Sequence, residues 1–479
     1  MESVWSASCN MAERNPLSGD LKADVLVIGA GMAGMLTAYL LKERGVHVVV
    51  LDASTIGGGV TKNTTAKITS QHRLIYHRLI REFGKEKAEQ YGKANQAAVE
   101  KYRRLVSENN ISCDFQDLPA YVYSLDDRKK LEEEAEAALS LGLPAEVVDE
   151  TTLPFAVEGA VRFTGQAQFN PLRFLQFISR DIEVYEHSMI KLLAGNRAIG
   201  DKGSVTAEHI VVATHFPFIN TPGYYFMKMH QERSYVIALE NVPDLQGVYL
   251  DGDDTGYSFR NYQDLLLLGG AGHRTGENAA GGSYEKLRQA GGKFFEGSRE
   301  KYHWSAQDCM TLDGIPYIGQ YASALPGVYV ATGFNKWGMT SSMVAAMLLS
   351  DQIMGISNDY AEIFSPKRFQ FWAAAKNLTE DGMTAVSGIL REKLQMAQSD
   401  ADALPKGHGG VVEIEGEKMG VYKNTDGNVY MVSAKCPHLG CQLAWNPDEA
   451  AWECPCHGSR FDYKGRILNN PAIKGIADE

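Results

Sequence analysis

The sequence predicts an α/β protein: a parallel nucleotide-type sheet joined to a β-rich part, followed by a small all-β domain. Three observations carry this. DVLVIGAGMAGMLTAYLLKERGVHVVVLD (24–52) reads strand, glycine turn, helix, strand. Between 224 and 300, runs such as SYVIALE, GVYLDG and LLLLGG, separated by turn residues, suggest an antiparallel sheet. From Leu404 the chain turns to short strands and turns such as NTDGN, with four of its seven cysteines inside 436–456.

A chain of 479 residues has room for two or three domains with buried cores. Its formal net charge of -12 leaves no basic excess to displace counterions, which excludes nucleic acid as a partner. A small anionic substrate stays open, because one local arginine outweighs the average field. The apolar run 25–41 reaches the lower length limit of a membrane span. Three spaced glycines and the flanking Asp24, Lys42 and Glu43 favour strand, turn and helix instead, so no integral membrane segment is expected. The first 22 residues carry Glu2, Glu13 and Asp20 without an apolar stretch, so no secretory leader is read and the cytoplasm is the expected location.

The elements follow in order. DVLVIG is apolar throughout, as a parallel strand buried on both faces must be. Gly29 permits a tight turn, Gly31 lets backbone approach a diphosphate, and Gly34 lets helix and strand pack closely. The helix N-terminus adds unpaired N–H groups and partial positive charge. Asp52 ends the second strand, 18 residues after Gly34, where an acid binds ribose hydroxyls. The motif does not distinguish NAD from FAD. Residues 71–109 and 127–142 are charged and alanine-rich at helical spacing, and Asn170-Pro171 caps another helix. An abrupt connection leads from that helix to a strand near 182–186. HIVVATHFPF (209–218) and GVYVATGF (327–334) continue the sheet, and WGMTSSMVAAMLLSDQIMG (337–355) is a helix closed by glycine. Residues 376–403 read as a helical connector. Cys9, Cys113 and Cys309 read as isolated thiols.

CPHLGC (436–441) and CPCHGS (454–459) each supply a Cys–His pair, Cys436 with His438 and Cys454 with His457. Fifteen residues separate His438 from Cys454. Mixed thiolate and imidazole donors suit a tetrahedral zinc or an iron–sulfur cluster.

Over residues 22–375 the chain resembles the glycine oxidase/D-amino-acid oxidase family of FAD enzymes. The early glycine fingerprint, the strand ending in Ala213-Thr214 and the block TLDGIPYIG…GVYVATGFNKWGMTSSMVAA carry the resemblance. It implies an FAD oxidoreductase domain over 1–375. The nucleotide part lies mainly in 22–72, 200–218 and 310–355, the substrate part mainly in 110–170 and 224–300. FAD contacts are expected from Gly29, Gly31, Gly34, Asp52, Thr64, Thr65, Ala213, Gly333, Gly338, Met339 and Thr340. The last three start a helix whose N–H groups and dipole suit the flavin pyrimidine edge. Lys67, His72, His273 and Arg274 are the candidates for the reacting face, with ordinary structural roles as the alternative. Arg274 is the candidate grip for a substrate carboxylate. A second glycine pattern at Gly270 and Gly272 ends in Thr275 with no apolar helix after it, so no nicotinamide site is expected. The short connection after the Pro171 helix departs from the family and leaves the adenine-side wall undefined.

Residues 404–479 resemble a Rieske [2Fe–2S] domain. The resemblance implies both cysteine thiolates on one iron and both imidazoles on the other. It also implies a Cys441–Cys456 disulfide and a covering loop at Pro471-Ala472, neither of which a zinc site uses. Ser459 stands where respiratory Rieske proteins place a hydroxyl donor to a bridging sulfide. Phe461 stands where they carry a tyrosine that donates to a ligand sulfur, a bond phenylalanine cannot make. The two halves together imply a dehydrogenase: FAD oxidises a small amine, amino acid or related C–H donor, and single electrons leave through the cluster to an external one-electron carrier. The alternatives are a carrier-driven reductase, with electrons entering at the cluster, and a non-catalytic redox sensor or binding module. An oxygenase is not expected, since no two-His-one-carboxylate set is visible.

Overall fold

A computed structural model describes residues 2–253, 256–368 and 404–477. The expected connector 376–403 lies outside the described residues.

The first sheet is built on β1 (Gly19–Ile28), whose four C-terminal residues are fully buried. After the glycine turn comes α1 (Met32–Lys42), then β2 (Val48–Leu51), as the pattern predicts. Asn170 caps α2 (Pro171–Ile178) by accepting from the N–H groups of Leu172 and Arg173, and the short connection delivers β3 (Glu183–Tyr185). β4 (Gly203–Val212) lies on the other side of β1.

The second sheet has nine strands and is antiparallel except where Val248–Asp251 pairs with Gln116–Ser124. Its far edge is formed by β5 (Met229–Glu240), β6 (Leu265–Arg274) and β7 (Arg299–Thr311), with β5 between the other two. β7 runs through residue 300 to Thr311, so the expected boundary between substrate and nucleotide parts falls inside one strand. β8 (Val328–Thr332) then returns to the first sheet, and α3 (Gly338–Ile353) packs on α1. β8, β4, β1, β2 and β3 are parallel in that order, the signature of a doubly wound sheet.

The C-terminal domain is two small antiparallel sheets, three strands within 408–433 and four within 444–469. Trp445, Trp452 and Phe461 pack with the four cysteines in one core, so the cysteine loops are held by aromatic packing as well as by the Cys441–Cys456 disulfide. Among the described residues no helix is long and apolar enough to cross a membrane. The run 25–41 is β1, turn and α1.

Candidate functional site

A cavity of about 1070 Å³ opens at the C-terminal ends of the parallel strands. Ligands bind there in doubly wound sheets, because the strand order reverses and the helix N-termini point inward. The three motif glycines play separable parts. A Cβ on Gly29, where φ is +110°, would lie 2.4 Å from the Ala213 carbonyl oxygen, and one on Gly34 would lie 1.8 Å from that of Gly29. Gly31 lines the cavity, and a Cβ there would meet nothing closer than Thr61 Oγ1 at 3.5 Å. As the N-cap of α1 it offers no side chain of its own, and Thr61 Oγ1 accepts from Met32 N at 3.1 Å. The cradle thus exposes backbone N–H groups to an anion.

Asp52 Oδ2 accepts from Ala30 N and Oδ1 from Ser54 N, both at 2.7 Å, so the acid fixes the glycine turn while facing the cavity. His187, Ser188 and Ile190 form the wall beyond it, supplied by the chain that leaves β3. Thr64, Thr65, Ala213 and Gly333 line the cavity, as do Gly338 and Met339 at the uncapped start of α3. Thr340 does not. One more step of about 100° round the helix turns its hydroxyl into the core, where it donates to Thr69 O at 2.9 Å.

The reacting-face candidates separate. Lys67 lines the cavity, and burial, then the charges of Arg260 and Arg73, push its amine down to about 7. His72 does not line the cavity. Its ring stacks on Trp337 at 4.6 Å, and its nitrogens pair with Tyr91 Oη at 2.6 Å and Thr69 O at 2.9 Å. Burial pushes it down to about 3, so it is a neutral brace between the 67–72 segment and α3. His273 does not line it either, its ring held by Tyr235 Oη at 2.9 Å and Arg274 O at 2.8 Å. Nor does Arg274. β6 lines the cavity as far as Gly272, and the chain beyond is covered by the Rieske loops: Gly276 N donates to Glu453 at 3.0 Å. The charge of Arg274 is felt at His457.

Sequence reasoning passed over the charged groups that do face the cavity, among them Arg73, Asp308 and the ion pair of Lys336 with Glu232 at 2.7 Å. Glu232 lies on β5 between Gln231 and Arg233, and Asp308 on β7 next to Gln307; these neighbours face the other way, a signal legible only once the strands were known. Arg73 and Lys336 come from loops.

The second half of the site is the cysteine–histidine cluster. Cys436 and Cys454 are buried free thiols whose sulfurs lie in hydrogen-bonding contact. The Sγ atoms of Cys441, Cys454 and Cys456 fall within 4.8 Å of one another, but the disulfide consumes two of them as ligands. The His438 and His457 rings are 4.9 Å apart, and both Nδ1 atoms are buried without a partner. Two thiols in contact, and two orphaned imidazole nitrogens on rings that meet edge to face, fit the donor set of a Rieske-type [2Fe–2S] centre. Ser459 Oγ faces Cys436 and accepts from Ala472 N at 3.0 Å, which ties the covering loop to the ligand loop.

The two halves meet. Residues 467–470, Ala472 and Ile473 line the same cavity as the glycine cradle. Asn220 Oδ1 bonds His438 Nε2 at 2.8 Å, and Phe226 sets its ring edge-on to both ligand imidazoles. A buried charge cluster locks the domains: Glu449 accepts from Arg233, Arg460 and Ser305, while Glu453 pairs with Arg460 at 2.9 Å and Arg233 at 3.8 Å.

Residues 24–352 match the model of the FAD dependent oxidoreductase family, and residues 395–478 that of the Rieske [2Fe-2S] domain. This chain belongs to the FAD-dependent oxidoreductase family. It carries a C-terminal Rieske domain, and its cofactors are FAD and a [2Fe–2S] cluster. It is 34% identical over 99% of its length to the putative Rieske 2Fe-2S iron-sulfur protein YhfW of Bacillus subtilis (strain 168), spanning 97% of that protein. Its fold is shared with L-proline dehydrogenase from P. horikoshii, at a TM-score of 0.63 and 18% identity over 74% of this chain and 98% of that one. Glycine oxidase from Geobacillus kaustophilus gives 0.61 and 17% over 73% and 100%.

Proposed function

We propose that this oxidoreductase is a dehydrogenase for a small amine, amino acid or related C–H donor, and that it passes single electrons through its Rieske centre to an external one-electron carrier. The observation that carries the reading is the shared cavity, with the glycine cradle at one end and the covering loop of the Rieske domain in its wall. When bound, FAD supplies two-electron acceptance and the cluster one-electron transfer. Gly29, Gly31 and the start of α1 hold the diphosphate, Asp52 the ribose, and the start of α3 the flavin edge. Cys436 and Cys454 hold one iron, His438 and His457 the other. Lys67 and Arg73 are the cations that orient an anionic group on the substrate, and a Lys67 amine near 7 exchanges a proton at working pH.

The test is anaerobic stopped-flow mixing with a panel of amines and amino acids. Flavin bleaching followed by cluster reduction supports the reading. Cluster reduction that comes first, driven by a reduced ferredoxin, replaces it with a carrier-driven reductase. Cofactors that change redox state without multiple turnover replace it with a sensor.

A further inference from the structure

Over residues 231–234 and 305–308 the strand pair β5–β7 looks at the cavity with one face and at the Rieske domain with the other. Glu232, Ser234, Ala306 and Asp308 line the cavity. Gln231, Arg233, Ser305 and Gln307, one residue out of phase, project the opposite way, as the period of two requires. Gln231 and Gln307 are 2% and 1% exposed, and burying two amides is costly unless they are bonded. Their bonds cross the domain boundary. Gln307 Nε2 donates to Gly458 O at 2.8 Å and to Gln231 Oε1 at 2.5 Å. Gln231 Nε2 donates to the carbonyl of His457 at 2.7 Å and to that of Asn470 at 3.3 Å. Asn470 Nδ2 in turn donates to Thr214 O at 2.7 Å and Phe216 O at 2.5 Å, on either side of His215. Thr214 and His215 line the cavity, and the His215 ring is bonded to the Gln307 backbone. The contact is closed: a Cβ on Gly458 would sit 2.6 Å from that of Gln231.

We propose that Gln231, Gln307 and Asn470 form a hydrogen-bonded bridge that carries single electrons between the flavin cavity and the His457 loop. The proposal rests on the reading above, that the two cofactors exchange electrons. The three are positioning residues: they hold the ligand loop against the cavity wall and link the two by continuous hydrogen bonds. Each substrate oxidised yields two electrons, which cross singly. The cluster holds one, so a one-electron acceptor takes the first before the second crosses, and the substrate's protons leave to solvent. The neighbouring Arg233–Glu449 cluster already locks the domains, so docking alone does not account for the amides.

The test uses the full chain with both cofactors. A laser flash with 5-deazariboflavin injects one electron into the flavin, and the cluster's visible band times its arrival. Gln231→Leu and Gln307→Leu keep the bulk and delete the bonds. The expected result is transfer slowed about tenfold, with iron content and the cluster's EPR spectrum unchanged. Transfer within about twofold of the wild type, with hydrogen exchange of 454–459 raised, would show a docking role only and overturn the bridge. If the leucine variants lose the cluster, Gln307→Asn draws the amide back by one methylene and is read by the same two criteria. A wild type that passes no electron at all refutes the reading beneath the proposal, whatever the variants do.

Discussion

Glu449→Gln should destabilise the folded chain by about 3 kcal/mol. The Glu449 side chain is 2% exposed, as is that of Arg233. Burial alone would raise its carboxyl, but the charges of Arg233 and Arg460 outweigh it and hold the group at about 2, against an ordinary 4.5. At about 1.36 kcal/mol per pH unit, that gap is worth about 3 kcal/mol. The folded value lies below the unfolded one, so the stabilisation is complete above pH 4.5 and is lost as pH falls towards 2. Glutamine keeps the shape but removes the charge, leaving two guanidinium groups to share Glu453. Breaking a buried ion pair costs about 3–5 kcal/mol in general, which agrees. The assay is urea unfolding of the loaded full chain at pH 7, followed at the flavin and cluster bands, with the difference between wild type and variant shrinking below pH 4.5. A difference under about 0.5 kcal/mol at pH 7, the range of an ordinary surface change, would refute the reasoning.

Three further outcomes are expected. Phe461→Tyr should raise the cluster potential within the Rieske range of about −150 to +300 mV, because a new hydroxyl donor stabilises the reduced cluster; voltammetry showing no rise refutes it. Lys67→Met should remove an inflection near pH 7 from the rate of substrate-driven flavin bleaching, since the amine is charged below about 7 and neutral above it; an inflection that survives assigns it to another group. Gly34→Ala, whose Cβ would lie 1.8 Å from the Gly29 carbonyl oxygen, should yield protein that binds no FAD, measured by the flavin released on denaturation.

What the sequence determined by itself was local. Gly29, Gly31 and Gly34 stand in register with a buried strand and an acid, and backbone geometry admits few readings of that spacing. Asn170-Pro171 announced its helix because the cap and the first turn are neighbours in the chain. The Cys–His loops were legible for the same reason, each ligand pair being two or three residues apart. Tertiary structure decided whatever depended on which face of a strand meets which surface. His72 and His273 sit beside residues that do line the cavity, and Arg274 two beyond Gly272, yet contacts with Trp337, Tyr235 and the Rieske loops set them apart from it. Gln231 pairs with a carbonyl 226 positions away, and Arg233 with Glu449 across 216. No periodicity records such partners, because closing loops of that length is settled by the packing of whole domains and not by the neighbours of either residue.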